Sequence, residues 1–151
     1  MPLNLPQYKF NIRHTSSGDK IYDRLRNKYV ALTPEEWVRQ HFTSYLIEHK
    51  GYPASLMANE VPLTLNGTSR RSDTVVFNRN GKPLVIIEYK ACSVDISQKT
   101  FDQIVRYNMV LHAQYLIVSN GMNHYCCHID YDSHSYSFLP EIPDYNTLTE
   151  K

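Results

Sequence analysis

The chain has 151 residues, 42% apolar and 21% charged, the proportions of an ordinary globular domain. Sixteen Lys and Arg against 15 Asp and Glu leave a net charge of +1, which excludes a globally basic nucleic-acid binder but allows a basic patch on one face. No apolar run approaches the roughly 20 residues of a membrane helix, the opening MPLNLPQYKF lacks signal-peptide character, and Cys92, Cys126 and Cys127 do not make a disulfide framework, so a cytoplasmic location with reduced thiols is expected.

Residues 7–31 read as an N-terminal extension: YKFNIRH, an SSGD turn, then IYD, with the conformation of RLRNKYVAL left open. LTPEEWVRQHFTSYLIEHKGYP is the clearest helix, with Thr33 as N-cap, Pro34 at the first helical position, acids in the first turn and Gly51 as the stop. Val38, Phe42, Tyr45, Leu46 and His49 share its core face. Strands are expected over about 57–65, 73–78 and 84–90. SQKTFDQIVRYNMVLHA is the second helix, with Phe101, Ile104, Val105, Asn108 and Leu111 as its main stripe, and QYLIVSNG is a further buried strand. HYCCHIDYDSHSYSF reads as a last hairpin around Asp132–Ser133, and the Pro-rich tail LPEIPDYNTLTEK as a segment meandering over the surface. Helix, three strands, helix, then strands is the order of an α/β layered domain around a mixed sheet flanked by helices. The whole chain, 1–151, is one domain: extension 1–32, core 33–139 and tail 140–151.

In LVIIEYKA, residues 84–91, four β-formers in a row suggest a strand covered on both faces, yet Glu88 and Lys90 follow on one face of it. A charge so placed is costly unless paired or metal-bound. Asn80-Gly81 signals a two-residue type I′ hairpin. That loop places Phe77 opposite Leu84, Val75 opposite Ile86 and Asp73 opposite Glu88. Opposed carboxylates repel, and a divalent cation between them reverses that sign, Mg²⁺ favouring carboxylate oxygens and waters. Lys90, one pleat onward, can reach the same place. The same register sets Arg71 against Lys90, so pairing is expected to end or bend near Asp73.

With Asp73 and Glu88-Tyr89-Lys90 in place, the sequence resembles the PD-(D/E)xK nuclease superfamily, and more closely the N-terminal nuclease domain of type I restriction enzyme R subunits. TPEEWVRQ, GYP, RRSDTVVFN, VIIEYKA, DQIVRYN and YLIVSNG carry the resemblance, in that order, from Thr33 to Gly121. It implies a restriction-endonuclease-like core and Mg²⁺-dependent hydrolysis of DNA, with Mn²⁺ as a substitute, in restriction or DNA repair. Asp73 and Glu88 would bind the metal with the Tyr89 backbone carbonyl, and Lys90 would position or activate the attacking water. Glu35 or Glu36 would support the metal through water, helical phase favouring Glu35. Gln103 and Tyr107 match a Q-x-x-x-Y element that contacts DNA or steadies Lys90. Arg39, Arg70, Arg71, Lys99 and Arg106 flank the site in sequence or helix phase and are candidates for phosphate contacts.

The usual proline after EYKA is Cys92 here, and there is no P-loop pattern and hence no nucleotide site expected in this chain. Translocation would therefore need a separate motor or specificity subunit, a homodimer being the other assembly considered. The alternative to an enzyme is a catalytically silent module of the same fold that binds nucleic acid or docks onto a larger restriction-type assembly. HYCCH offers His124, Cys126 and His128 on one strand face, but zinc lacks a fourth ligand there, and ordinary strand residues are the reading.

Overall fold

A strand that is apolar on both faces needs two covering layers, and the computed structural model, which describes residues 2–149, supplies them. In chain order the elements are β1 (Ile12–Thr15), β2 (Gly18–Asp23), β3 (Lys28–Ala31), α1 (Pro34–His49), β4 (Met57–Leu65), β5 (Thr68–Phe77), β6 (Pro83–Tyr89), α2 (Gln98–Asn108), β7 (Tyr115–Ser119), β8 (His124–Asp130), β9 (Ser135–Phe138) and α3 (Tyr145–Thr149). The main sheet has six strands in the order β4-β5-β6-β7-β8-β9. Among the described residues only β6 and β7 run parallel, because α2 carries the chain back between them; the other neighbouring pairs of this sheet are antiparallel. The sheet is mixed and flanked by helices, as the order of elements predicts. No helix among the described residues is long and apolar enough to cross a membrane.

The two faces of β6 feed two cores. Val85, Ile87 and Tyr89 pack with Val38, Phe42 and Leu46 of α1, whereas Ile86 packs with Phe101 and Val105 of α2. Each such fully buried side chain contributes roughly 1.5–3 kcal/mol. Thr33 caps α1 by accepting from the Glu36 N–H at 3.0 Å, and Gly51 follows the helix end at φ +71°. Ser97 caps α2 in the same way, accepting from Thr100 N at 3.1 Å.

The N-terminal extension is a second sheet, β1-β2-β3, and RLRNKYVAL resolves into its turn and third strand. Residues 8–10 and this sheet lie against the flank of α1 that the main sheet leaves open. Phe10 stacks edge-on against His41 at 4.7 Å between centroids, and Tyr8 Oη bonds His49 Nδ1 at 2.7 Å. This explains why α1 is buried beyond its apolar stripe, with Glu36, Arg39, Gln40 and Thr43 also inside.

Two expectations are corrected. The type I′ turn is not at Asn80-Gly81 but at Asn66-Gly67, where both residues have positive φ (52° and 77°) between the paired Leu65 and Thr68. At the other hairpin Asn80 is not left-handed and only Gly81 is, at φ +79°. Asn78 O accepts from Gly81 N (3.0 Å), and Asn78 N bonds Lys82 O (2.8 Å), a turn with one residue more than expected. Phe77 therefore pairs with Pro83 rather than Leu84, and an irregularity between Val76 and Phe77 restores the expected register, Val75 opposite Ile86 and Thr74 opposite Ile87. The tail is also not a surface meander. Ile142, Tyr145 and Leu148 are buried in the α1-side core, and Tyr145 Oη donates to Phe77 O at 3.2 Å.

Candidate active site

Ladder pairing between β5 and β6 stops at Thr74–Ile87. One residue further, the side chain of Asp73 does what the backbone no longer does: its Oδ2 accepts from Tyr89 N at 2.9 Å. The bond caps the donor that β6 would otherwise leave open where β5 departs. Pairing therefore ends near Asp73, one of the two outcomes expected, and the carboxylate itself spans the gap.

Asp73, Val75, Ile86 and Glu88 follow the alternation onto the α2 side of the sheet. Glu88 is largely buried there, and its Oε1 has no hydrogen-bond partner among the described residues. Burial first, then the charge of Asp73 and a hydrogen bond with it, push the Glu88 carboxyl up to about 9. Asn108 and the Lys90 ammonium act in the opposite direction. Asp73, Glu88 and Lys90 are thus brought into one electrostatic unit at the C-terminal end of β6.

Asn108 has no role in the sequence reading beyond the α2 stripe, yet it is a neighbour of Glu88. It is 2% exposed, its Nδ2 donates to Ile104 O at 2.9 Å, and its Oδ1 is buried without a partner among the described residues. A polar residue in the apolar phase of an amphipathic helix is the signal that could have found it. Gln103 and Tyr107 lie on the exposed side of α2 instead. Tyr107 is covered by Arg70, whose guanidinium sits 4.5 Å from the ring centroid and whose Nε donates to Tyr107 O at 3.1 Å. No hydrogen bond joins Gln103 or Tyr107 to Lys90 among those of the described residues.

Helical phase favours Glu35, but the structure turns it outward and buries Glu36. The reason is the second sheet, which makes the other flank of α1 an interior. Glu36 Oε1 accepts from Arg26 Nη2 (2.8 Å), and Oε2 accepts from Gln40 Nε2 (2.8 Å) and lies 3.2 Å from Arg39 Nε. Arg39, expected as a phosphate contact, is buried and directed inward: Nη1 donates to Asp73 O at 2.7 Å and Nη2 to Glu60 Oε1 at 3.3 Å. Arg71, Lys99 and Arg106 are exposed. Glu60, at φ +56° in β4, is a further acid beside Asp73 that no local pattern announces.

Among the described residues no cluster of three or more His, Cys, Asp or Glu is placed to hold a metal. The donor set still fits a hard cation: two carboxylates, one with a buried oxygen lacking a partner, and the Tyr89 carbonyl between Glu88 and Lys90 in the chain. Mg²⁺ takes one or two carboxylates and keeps several waters, so a sparse set suits it. The HYCCH strand offers no such set. His124 spends both ring nitrogens on Ser119 Oγ (2.7 Å) and Asn4 O (3.0 Å), and Cys126 and Cys127 enter opposite cores.

A sequence profile described as type I restriction enzyme R protein N terminus matches residues 34–143. No curated protein matches the chain. Among solved structures, the fragment structure assigned to an HsdR subunit of a type I restriction enzyme from Vibrio vulnificus YJ016 is similar with a TM-score of 0.56. The two are 20% identical, over 79% of this chain and 25% of that one. A DrdV–DNA complex gives a TM-score of 0.44 at 14% identity, over 78% of this chain and 12% of that one. The likeness to the HsdR fragment shows a shared restriction-endonuclease-like fold. This chain spans about a quarter of that relative's length.

Proposed function

Because this chain belongs to the family of type I restriction enzyme R protein N termini, we propose that it is a restriction-type nuclease module that hydrolyses phosphodiester bonds of DNA at a PD-(D/E)xK-type site. The observation that carries this reading is the convergence of Asp73 and Glu88 on one face, with Lys90 acting on Glu88 and a buried Glu88 oxygen left without a partner. A purely structural ion cluster would satisfy that oxygen, since a buried acceptor without a partner costs ~1–3 kcal/mol.

In this reading Asp73 and Glu88 hold Mg²⁺, or Mn²⁺ in its place, with the Tyr89 carbonyl. The ion, when bound, supplies positive charge against that developing on the phosphate and lowers the pKa of water. Lys90 orients the attacking water and stabilises charge on the phosphoryl oxygens. The Arg70–Tyr107 stack with Gln103, and the exposed Arg71, Lys99 and Arg106, bind the DNA, chiefly through phosphates. Arg39 and Glu36 serve inside the protein rather than at the ligand, and Glu35 lies outside the site. The reaction belongs in the cytoplasm, and translocation and sequence choice are supplied from outside these residues by a motor or specificity partner.

The test is incubation of the purified chain with single-stranded, duplex and branched DNA in Mg²⁺ or Mn²⁺, beside Lys90→Ala and Asp73→Asn. Metal-dependent cutting lost in both variants is expected. DNA binding without cutting on every substrate, unchanged by Lys90→Ala, would make the chain a silent docking module instead.

A further inference from the structure

The first 33 residues lie outside the matched family region, yet one of their side chains is fully buried and charged. Asp23, at the end of β2, is 0% exposed. A lone buried carboxylate is costly, so its partners define what it is for. Oδ1 accepts from Leu25 N (2.7 Å) and Arg26 N (3.1 Å), which fixes the β2–β3 turn. Oδ2 accepts from Arg26 Nε and from Asn59 Nδ2, the latter at 2.9 Å.

Two arms leave that one oxygen and end on adjacent residues of β5. Through Arg26 the first arm reaches Glu36 (2.8 Å), then Arg39 (3.2 Å), and Arg39 Nη1 donates to the backbone oxygen of Asp73 at 2.7 Å. The second arm runs through Asn59, whose Oδ1 accepts from Thr74 Oγ1 at 2.6 Å. Asn59 and Thr74 are themselves paired across β4 and β5 and buried. Asp73 sits where its strand has left β6, between Ser72 and Thr74, which β4 still pairs with Val61 and Asn59. The arms meet at this position.

We propose that Arg39, Arg26 and Asp23 are positioning residues for Asp73, so that the β1–β3 sheet is part of the catalytic site rather than an appendage to it. The metal-binding consequence rests on the proposed nuclease reading, while the placement of Asp73 does not. Outer partners of a metal ligand commonly govern affinity by 10–100-fold. The device is a bracket: Asp23 fixes the turn, the turn presents Arg26, and Arg26 with Glu36 holds the Arg39 fork against the Asp73 carbonyl.

The experiment uses this chain carrying Arg26→Met or Asp23→Asn, with Arg24→Met as control, since among the described residues Arg24 makes an exposed pair with Glu48 at 3.5 Å and no bond to the bracket. The first readout is hydrogen exchange of the Tyr89 amide relative to the amides of β7, which reports the Asp73–Tyr89 bond without any metal. The second is Mn²⁺ affinity by calorimetry. Arg26→Met and Asp23→Asn are expected to speed Tyr89 exchange at least tenfold relative to β7 and weaken Mn²⁺ by about tenfold or more; Arg24→Met changes neither. If Asp23→Asn does not fold, Arg26→Met, whose side chain is 18% exposed, carries the test. Tyr89 exchange that follows β7 in these variants would overturn the proposal. A wild-type chain that binds no Mn²⁺ would overturn the metal reading, and the amide readout would still decide the positioning.

Discussion

Replacing Glu88 with Gln keeps the side chain's shape and removes its charge. Burial and Asp73 push this carboxyl up to about 9, so the folded, metal-free Asp73–Glu88 pair holds a proton at pH 7 that the unfolded chain does not. A folded-state value raised in this way gives stability that is complete below the unfolded value and is lost as pH rises toward the folded one. Where the folded state holds one more proton, the slope is about −1.4 kcal/mol per pH unit. From pH 5 to pH 7 the loss is about 2–3 kcal/mol, a large share of the ~5–15 kcal/mol typical of a domain. The E88Q chain has nothing to ionise at this position. Urea unfolding of both proteins in EDTA at pH 5, 6, 7 and 8 should show the variant's advantage widening by that amount between pH 5 and 7. A gap that stays within ~0.5 kcal/mol across the series, or closes as pH rises, would refute the account of Glu88 as a carboxyl held neutral by its surroundings. Millimolar Mg²⁺ should then stabilise only the wild-type chain, and more so at higher pH, because a bound metal must displace that proton.

The turn assignment makes Asn66→Ala cost about 1 kcal/mol, since Asn66 is left-handed, while Asn80→Ala stays within ~0.5 kcal/mol; chemical denaturation separates the two. Tyr145→Ala should destabilise by about 3–5 kcal/mol and Tyr145→Phe by only about 1 kcal/mol, because the ring fills the core and the hydroxyl adds one bond to Phe77. Arg71→Ala should weaken DNA binding at every sequence and lower the salt dependence by about one counterion, measured by fluorescence anisotropy across a salt series.

The main sheet was legible because its signals are local. The strand expected over about 57–65 is β4, the Thr33-Pro34 cap started α1, and four consecutive β-formers announced a doubly covered strand. The Asp73–Glu88 pairing was reached from a two-residue loop that does not exist. An extra turn residue shifts the register by one, and the irregularity at Val76/Phe77 shifts it back. What could not be read is everything decided by the second sheet. Helical phase assumes one buried face, and α1 has two, so Glu35 and Glu36 exchanged places and Arg39 turned from a surface cation into a buried fork. Asn108 was visible as a stripe residue, but nothing local says that a carboxyl lies above it. The tail read as loop because Pro140 and Pro143 interrupt it, while Ile142, Tyr145 and Leu148 find their partners only in three dimensions.

The contact between the chain's start and the β7–β8 turn has a consequence for how this molecule is made. Asn4 N donates to Gly121 O at 2.8 Å, and Asn4 Nδ2 reaches Met122 O across 118 residues of sequence. At a ribosomal pace of about 5–20 residues per second, Asn4 waits roughly 6–24 s for that partner to be synthesised. Asp23 waits less, but still until Asn59 emerges. During biosynthesis the three small strands therefore exist before anything they brace, and Asn4 gains these bonds only once the β7–β8 turn has been made.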